Sequence, residues 1–375
     1  MQTLKIAASE LNLPVTLACW QTFRWRNISD SFYGVVDGLL VYLKRIDDET
    51  IEWRCLGRSV DAVGLDVPER LLKYFQMDIS LKRVWADWSA KDLLMDDLSK
   101  AEELQGIRIL KQEPLEAMIS LICSVNNHNV APAMVSIIAK LYGEPIILDP
   151  CEDGKEILAL FPDLAHAFPT MTKLFANRNR LEEQLSAHNF GCKAHHIETW
   201  TLSNSKSVGF YSHVVKYLGR LPSTYLMDLE RKQTEEIRRS LMKLPGVPPQ
   251  LVDCIALMAL GQPQCVPITR RLHEVTKKYY IPTLPPAYDA VPYEFVQEIM
   301  AFYETRFGTY AGWAVAVLST SSVESFVHVT PEEIWYYSAT RNSVYRSPQT
   351  GGVSAGDEGG AETGNGVESI GPGRD

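Results

Sequence analysis

The spacing of apolar positions changes partway along the chain. The segments VTLACWQTFRW (15–25), FYGVVDGLLVYLKRI (32–46) and TIEWRCLGRSV (50–60) alternate or run apolar over a few residues, separated by Asn, Ser, Asp and Gly. That is a strand pattern, so residues 1 to about 100 are expected to be mainly strand. Asp37-Gly38 between two apolar runs is a hairpin signal, because both turn residues must tolerate positive φ. Further on, PLEAMISLICSV, PAMVSIIAKLYG, TEEIRRSLMKL, PQLVDCIALMALG, TRRLHEVTKKYY and YEFVQEIMAFYETRFG place apolar residues at helical spacing. The expected fold class is α+β: an antiparallel β-sheet domain over 1–103, a helical body over 104–330, and a C-terminal extension over 331–375.

Composition refines this picture. A chain of 375 residues is too long for one core and suggests two or three packed domains. No run of 18 uninterrupted apolar residues occurs, so no membrane span is expected, and the start MQTLKIAASELNLP lacks the features of an export signal. Seven cysteines without regular spacing argue against a disulfide framework. The net charge of −9 disfavours binding to nucleic acid through bulk charge. Part of that charge is local, however. From Ser347 onward the chain is Gly-rich, and Asp357, Glu358, Glu362, Glu368 and Asp375 face only Arg374. Such a segment cannot bury enough surface to offset its ordering entropy, and disorder is expected from about 347. A partner-binding arm is its functional reading; a solvated tail is the plainer one.

The stretch from Leu241 to Cys254, LMKLPGVPPQLVDC, carries the most chemical information. One helix is expected to end at Leu244, a Pro-Gly-Val turn to follow, and a second helix to start at Pro248-Pro249, where proline's missing N–H costs nothing. This is a helix-hairpin-helix over 236–260. It can aim turn amides and a helix N-terminus at a phosphate without a basic surface. An αα-hairpin buried in a core has the same outline.

Read together, TFRW (22–25), KYFQMDISL (73–81), GIRILKQEPLEAMISLICSVNN (106–127), LPGV (244–247), VDCIALMAL (252–260), PQCVP (263–267) and YAGWAVAVL (310–318) resemble the 8-oxoguanine DNA glycosylase family. The resemblance spans about 20–320 in colinear order. It implies a twisted antiparallel sheet followed by a two-part helical body, with double-stranded DNA bound and the damaged base flipped into a pocket. A monomer in the nucleus, with mitochondria as a second location, is the matching expectation. No cofactor is expected, since an iron–sulfur cluster would need four closely spaced cysteines and the C-terminal half offers only Cys254 and Cys265 near one another, with Cys192 far upstream.

The family cleaves the N-glycosidic bond with a lysine at the start of the second hairpin helix, and its Schiff base permits strand scission. The matching position here is Gln250, whose amide nitrogen is delocalised and cannot form an imine. The family's aspartate after Val-Pro, which steadies positive charge on the sugar, is matched by Thr269. No catalytic position is intact. In the implied base pocket Trp20 replaces a glycine, Val315 a glutamine and Ser319 a phenylalanine, while Cys254 is kept.

The implied DNA contacts are mixed. Asn126 and Asn127 match residues that enter the gap left by a flipped base, but the arginine after them is missing. Lys193 keeps the charge of a Tyr-Arg wedge, and Arg271 stands in for a phosphate-binding histidine. Gly246, Gln250 and Leu251 supply the hairpin contacts, while Pro248 removes one amide. For each residue alone, a helix cap or a solvated surface charge explains it as well. His195-His196 has no third ligand nearby and is not read as a metal site. Glu235-Glu236 before Arg238-Arg239 reads as a helix face of ion pairs.

Three readings follow. The first is a family member without excision and lyase activity that retains at most DNA binding. The second is a glycosylase working on 8-oxoguanine or another lesion by a modified mechanism, with Asp253 the one carboxylate near the hairpin. The third is an interaction scaffold that no longer binds DNA.

Overall fold

The computed structural model describes residues 2–18, 21–124, 131–150, 152–180, 183–184, 211–245, 247–286 and 293–320. Its N-terminal part is built on an antiparallel sheet: β1 (Gln2–Lys5), β2 (Trp25–Ile28), β3 (Ser31–Val36), β4 (Leu39–Asp47) and β5 (Thr50–Arg58), in the order β1-β5-β4-β3-β2. The β3–β4 hairpin turns at Asp37-Gly38, both at positive φ (50° and 78°) as a two-residue turn of this type requires. Register shifts at Leu40/Val41 and Arg45/Asp47 add twist to the β4–β5 pair. Gly34 lies opposite Trp25, whose indole occupies the space a side chain would need.

Both faces of this sheet are covered. Leu39, Val41 and Leu43 of β4 pack with Trp25, Leu71 and Phe75, while the alternate residues Leu40 and Tyr42 pack with Ile146, Ile157 and Leu164 on the other side. That two-sided burial is why β4 reads as a continuous apolar run. The second cover comes from much later in the chain. β6 (Ile147–Leu148) pairs with the end of β5, and the helix Glu152–Leu160 follows it.

The strand expectation holds to Arg58 and fails beyond it. Val67–Tyr74, Leu81–Lys91 and Leu93–Leu98 are helices, and Leu13–Ala18, inside the first expected strand segment, is a short helix. The helical signals are Leu81, Val84, Trp85 and Trp88, buried at helical spacing, and the caps Asp66 and Asp92, whose carboxylates accept the Glu69 and Met95 amides at 2.8 and 2.9 Å.

The helical body shares one large core that extends from Val15 to Leu318 among the described residues. The helix Pro114–Ser124 runs through its middle and is buried almost all round. Arg108, wholly buried, ties the parts together. Its guanidinium donates to the Glu10 carboxylate (2.7 Å) and to the carbonyls of Gln76 (2.6 Å) and Ile79 (2.7 Å), and it faces the Trp313 ring. Glu10 in turn accepts the Leu81 amide at 2.8 Å, capping that helix. Three of the sequence blocks that carry the family resemblance, 73–81, 106–127 and 310–318, thus meet at one buried cation.

Candidate functional site

The hairpin consists of the helices Thr234–Leu241 and Pro249–Met258. The first ends three residues earlier than expected. Lys243 and Leu244 continue in tighter turns, with the Lys243 amide on Ser240 O (3.3 Å) and the Leu244 amide on Leu241 O (3.0 Å). Leu244 and Val247 are buried and hold the turn down, which leaves Gln250 exposed at the start of the second helix. Pro248 and Pro249 carry no N–H, so Gln250 supplies that helix's first amide. The Pro248 carbonyl accepts from Leu251 at 2.9 Å and from Val252 at 3.3 Å. Leu251 itself is buried, with its side chain in the core.

A three-way fork locks the two helices. Arg238 donates from Nε to Asp253 Oδ1 (2.7 Å), from Nη1 to Glu235 (2.8 Å) and from Nη2 to Glu304 (3.1 Å) on the helix Tyr293–Phe307. Burial would lower the Arg238 pKa, but the adjacent Asp253 charge outweighs it and the net direction is up. Burial raises the Asp253 carboxyl, with Arg238 opposing. The expected ion-pair face of the first helix is therefore present, and one of its arginines does more than decorate the surface.

Next to the hairpin, Gly312 lets the helix Ala311–Thr320 lie directly on the segment 263–265. A Cβ there would stand 2.2 Å from the Cys265 carbonyl and 2.8 Å from Leu257 of the second hairpin helix. The Gly312 amide donates to Pro263 O at 2.9 Å. Val315 on this helix is buried in the core, and Ser319 is half-buried. Cys254 is half-buried, and burial pushes its thiol up to about 12, so it is neutral at ordinary pH.

The chain then leads through buried Val266 and Ile268 to exposed Thr269, the N-cap of the helix Arg270–Tyr279. Thr269 Oγ1 accepts the Leu272 amide at 3.1 Å. Arg271 is exposed in the first turn of the same helix. The structure thus assembles Gln250, Leu251 and Cys254 on one helix, Val315 and Ser319 on a helix touching it, and Thr269 and Arg271 at the start of a third. Trp20, Asn126, Asn127, Lys193 and Gly246 lie outside the described residues, as do His195 and His196. Sequence reasoning missed the capping role of Thr269, although a threonine directly before an amphipathic helix is a cap signal. It also left the hairpin lock at Arg238 unread, since the partner on the facing helix is set by tertiary packing.

Among the described residues, no three His, Cys, Asp or Glu side chains are grouped to hold a metal, and no helix is long and apolar enough to cross a membrane.

Comparison with known proteins agrees with this architecture. Residues 3–118 match the family model of the 8-oxoguanine DNA glycosylase N-terminal domain. The chain is 30% identical over 324 residues to the N-glycosylase/DNA lyase OGG1 of Arabidopsis thaliana, covering 84% of this chain and 78% of that protein. It is 29% identical over 348 residues to the N-glycosylase/DNA lyase of Saccharomyces cerevisiae, covering 85% of each. Among solved structures, MBOgg1 in complex with a low-affinity DNA ligand superposes with a TM-score of 0.62 at 22% identity, over 84% of this chain and 93% of that one. The 8-oxoguanine glycosylase/lyase of Clostridium acetobutylicum, in complex with double-stranded DNA containing cytosine opposite 8-oxoguanine, gives 0.59 at 19% identity, over 89% and 93%. A sheet of the same kind, a helical body around a hairpin, and sequence identity sustained along most of the chain place this protein in the 8-oxoguanine DNA glycosylase family.

Proposed function

We propose that this family member binds double-stranded DNA without excising 8-oxoguanine or cutting the strand. The observation that carries the reading is the state of the second hairpin helix. Gln250, at the position matched to the family's nucleophile, stands exposed at its first turn, and a carboxamide can neither attack a sugar carbon nor hold it as an imine. Thr269 supports the same reading, because its oxygen is neutral and committed to capping. A counter-charge for an oxocarbenium-like transition state is then missing, a contribution of about 3–4 kcal/mol in preorganised sites. Asp253 offers no replacement base, being held by Arg238 in the hairpin lock.

DNA binding rests on the fold and on what the relatives do: two of the solved neighbours were captured with DNA. In this chain Gln250 on the hairpin and Arg271 on the next helix would meet the backbone, with Gly246, Asn126, Asn127 and Lys193 completing the contacts; the contact expected of Leu251 drops out, because its side chain lies in the core and its amide is held by the Pro248 carbonyl. A nuclear location and a monomeric state belong to the same reading.

Single-turnover assays on a duplex with one 8-oxoguanine opposite cytosine, with and without alkali, test it. Intact strands in both arms, with retained and salt-sensitive duplex affinity, are expected. Cleavage after alkali would overturn the loss of excision, and affinity without salt dependence would overturn the DNA-backbone contact.

A further inference from the structure

A hairpin of this kind can hold a phosphate with the amides that its turn and second helix leave without acceptors. In this chain that supply is short. Pro248 and Pro249 have no N–H, and the Pro248 carbonyl takes the Leu251 amide at 2.9 Å and the Val252 amide at 3.3 Å. The Val247 amide is turned back on the Leu244 carbonyl at 3.3 Å. Among the described residues of the turn, the Gln250 amide is the one left to meet a ligand.

Lys243 stands at the entrance of the same turn. Its side chain is exposed, and the next residue, buried Leu244, pins the chain at that point. A lysine in the last turn of a helix ordinarily folds back on the end carbonyls. Here those carbonyls are already served, Ser240 by the Lys243 amide and Leu241 by the Leu244 amide. The other cations of the first hairpin helix are committed. Arg238 is held by Asp253, Glu235 and Glu304, and Arg239 donates to the Glu235 carbonyl at 3.2 Å. Glu236, which could have drawn Lys243 back, is paired with Lys232. The Lys243 ammonium has neither a carboxylate nor a carbonyl partner among the described residues.

A free ammonium carries a whole charge and three donors, and its hydrogen bond to a phosphate is about twice as strong as that of a neutral amide. It can make that bond without first breaking an ion pair. We propose that Lys243 is the hairpin's principal phosphate contact, supplying the grip that Pro248 and Pro249 cannot. The proposal rests on the DNA-binding reading above and assigns the contact to a residue outside the positions matched to the family. The contact is to the backbone, so it is the same for damaged and undamaged duplex.

Anisotropy titrations of the full-length protein on an undamaged duplex, between about 50 and 200 mM salt, test this. Lys243→Ala should weaken binding by about tenfold at the low-salt end. It should also lower the slope of log affinity against log salt by about 0.9, the share of one phosphate. Lys243→Arg should restore both. Lys82→Ala, which removes an exposed lysine from the helix Leu81–Lys91, controls for net charge and should leave the slope unchanged. Wild-type affinity and slope in Lys243→Ala, or an equal loss in Lys82→Ala, overturns the proposal and leaves duplex binding itself in place. A wild-type protein without salt-dependent affinity overturns the DNA-binding reading, and this contact falls with it.

Discussion

Thr269 Oγ1 accepts the Leu272 amide at 3.1 Å, which makes this residue the N-cap of the helix that follows the Val-Pro segment. Aspartate caps a helix as well as threonine does, so a carboxylate at this position would meet the same structural requirement while adding a charge that the threonine lacks. Replacing Thr269 by Ala should cost about 1 kcal/mol of stability, and replacing it by Asp should change stability by only a few tenths. Urea unfolding curves of the two variants check this, with equal losses in both counting against the cap.

The double substitution Gln250→Lys with Thr269→Asp restores an amine and a carboxylate at the two matched positions. On the proposed matching it should still fail to excise 8-oxoguanine selectively, because Val315 is buried apolar bulk and Ser319 carries no ring that could stack on a base. Selective single-turnover excision by the double variant would show that the pocket substitutions matter less than the two catalytic ones.

Arg238 holds Asp253 at 2.7 Å between the hairpin helices. Removing one member of a buried pair leaves the other charge uncompensated, a loss of about 3–5 kcal/mol. Arg238→Met should therefore destabilise strongly, and adding Asp253→Leu should recover a large part. The comparison is a double-mutant cycle by chemical denaturation. Additive losses would show that the two residues do not act as a pair.

Glu116 predicts a pH dependence. Burial raises its carboxyl to about 7, against the pull of Arg24, whose Nη1 lies 3.6 Å away. The folded state then keeps a proton that the unfolded chain releases near pH 4.5, so stability is greatest below that value and declines as pH rises toward 7. The full span is on the order of 3–4 kcal/mol. Melting curves at pH 5 and pH 8 should show the decline, and Glu116→Gln should flatten it. A slope unchanged in that variant would place the titration elsewhere.

Gly312→Ala puts a methyl group against the Cys265 carbonyl. Overpacking of this kind costs about 1–3 kcal/mol, and here it separates the helix carrying Val315 and Ser319 from the second hairpin helix. A lowered melting temperature with native secondary structure is the expected result. An unchanged one would mean that the contact relaxes freely.

The hairpin and the family were legible because they rest on local patterns: Leu-Pro-Gly, two prolines at a helix start, and blocks such as YAGW. The helices over 67–98 were equally local, with Asp66 and Asp92 as caps, yet the strand signals before them dominated the reading. What the chain order hid was long-range. Nothing near Asp253 in sequence announces Arg238 as its partner, and that Lys243 has no carboxylate beside it among the described residues emerges only when the surrounding elements are in place.

The sheet has one further consequence, for the order in which the protein is made. β3, β4 and β5 are complete once residue 58 has been synthesised, but Leu40, Tyr42 and Leu56 have no cover until Ile146, Ile157 and Leu164 arrive. A ribosome adds about 5–20 residues each second, so this apolar face stays open for several seconds on every nascent chain. An antiparallel sheet with one bare face is a surface that other chains can adhere to. The segment from β6 to Leu164 thus closes a window of aggregation that the first hundred residues open.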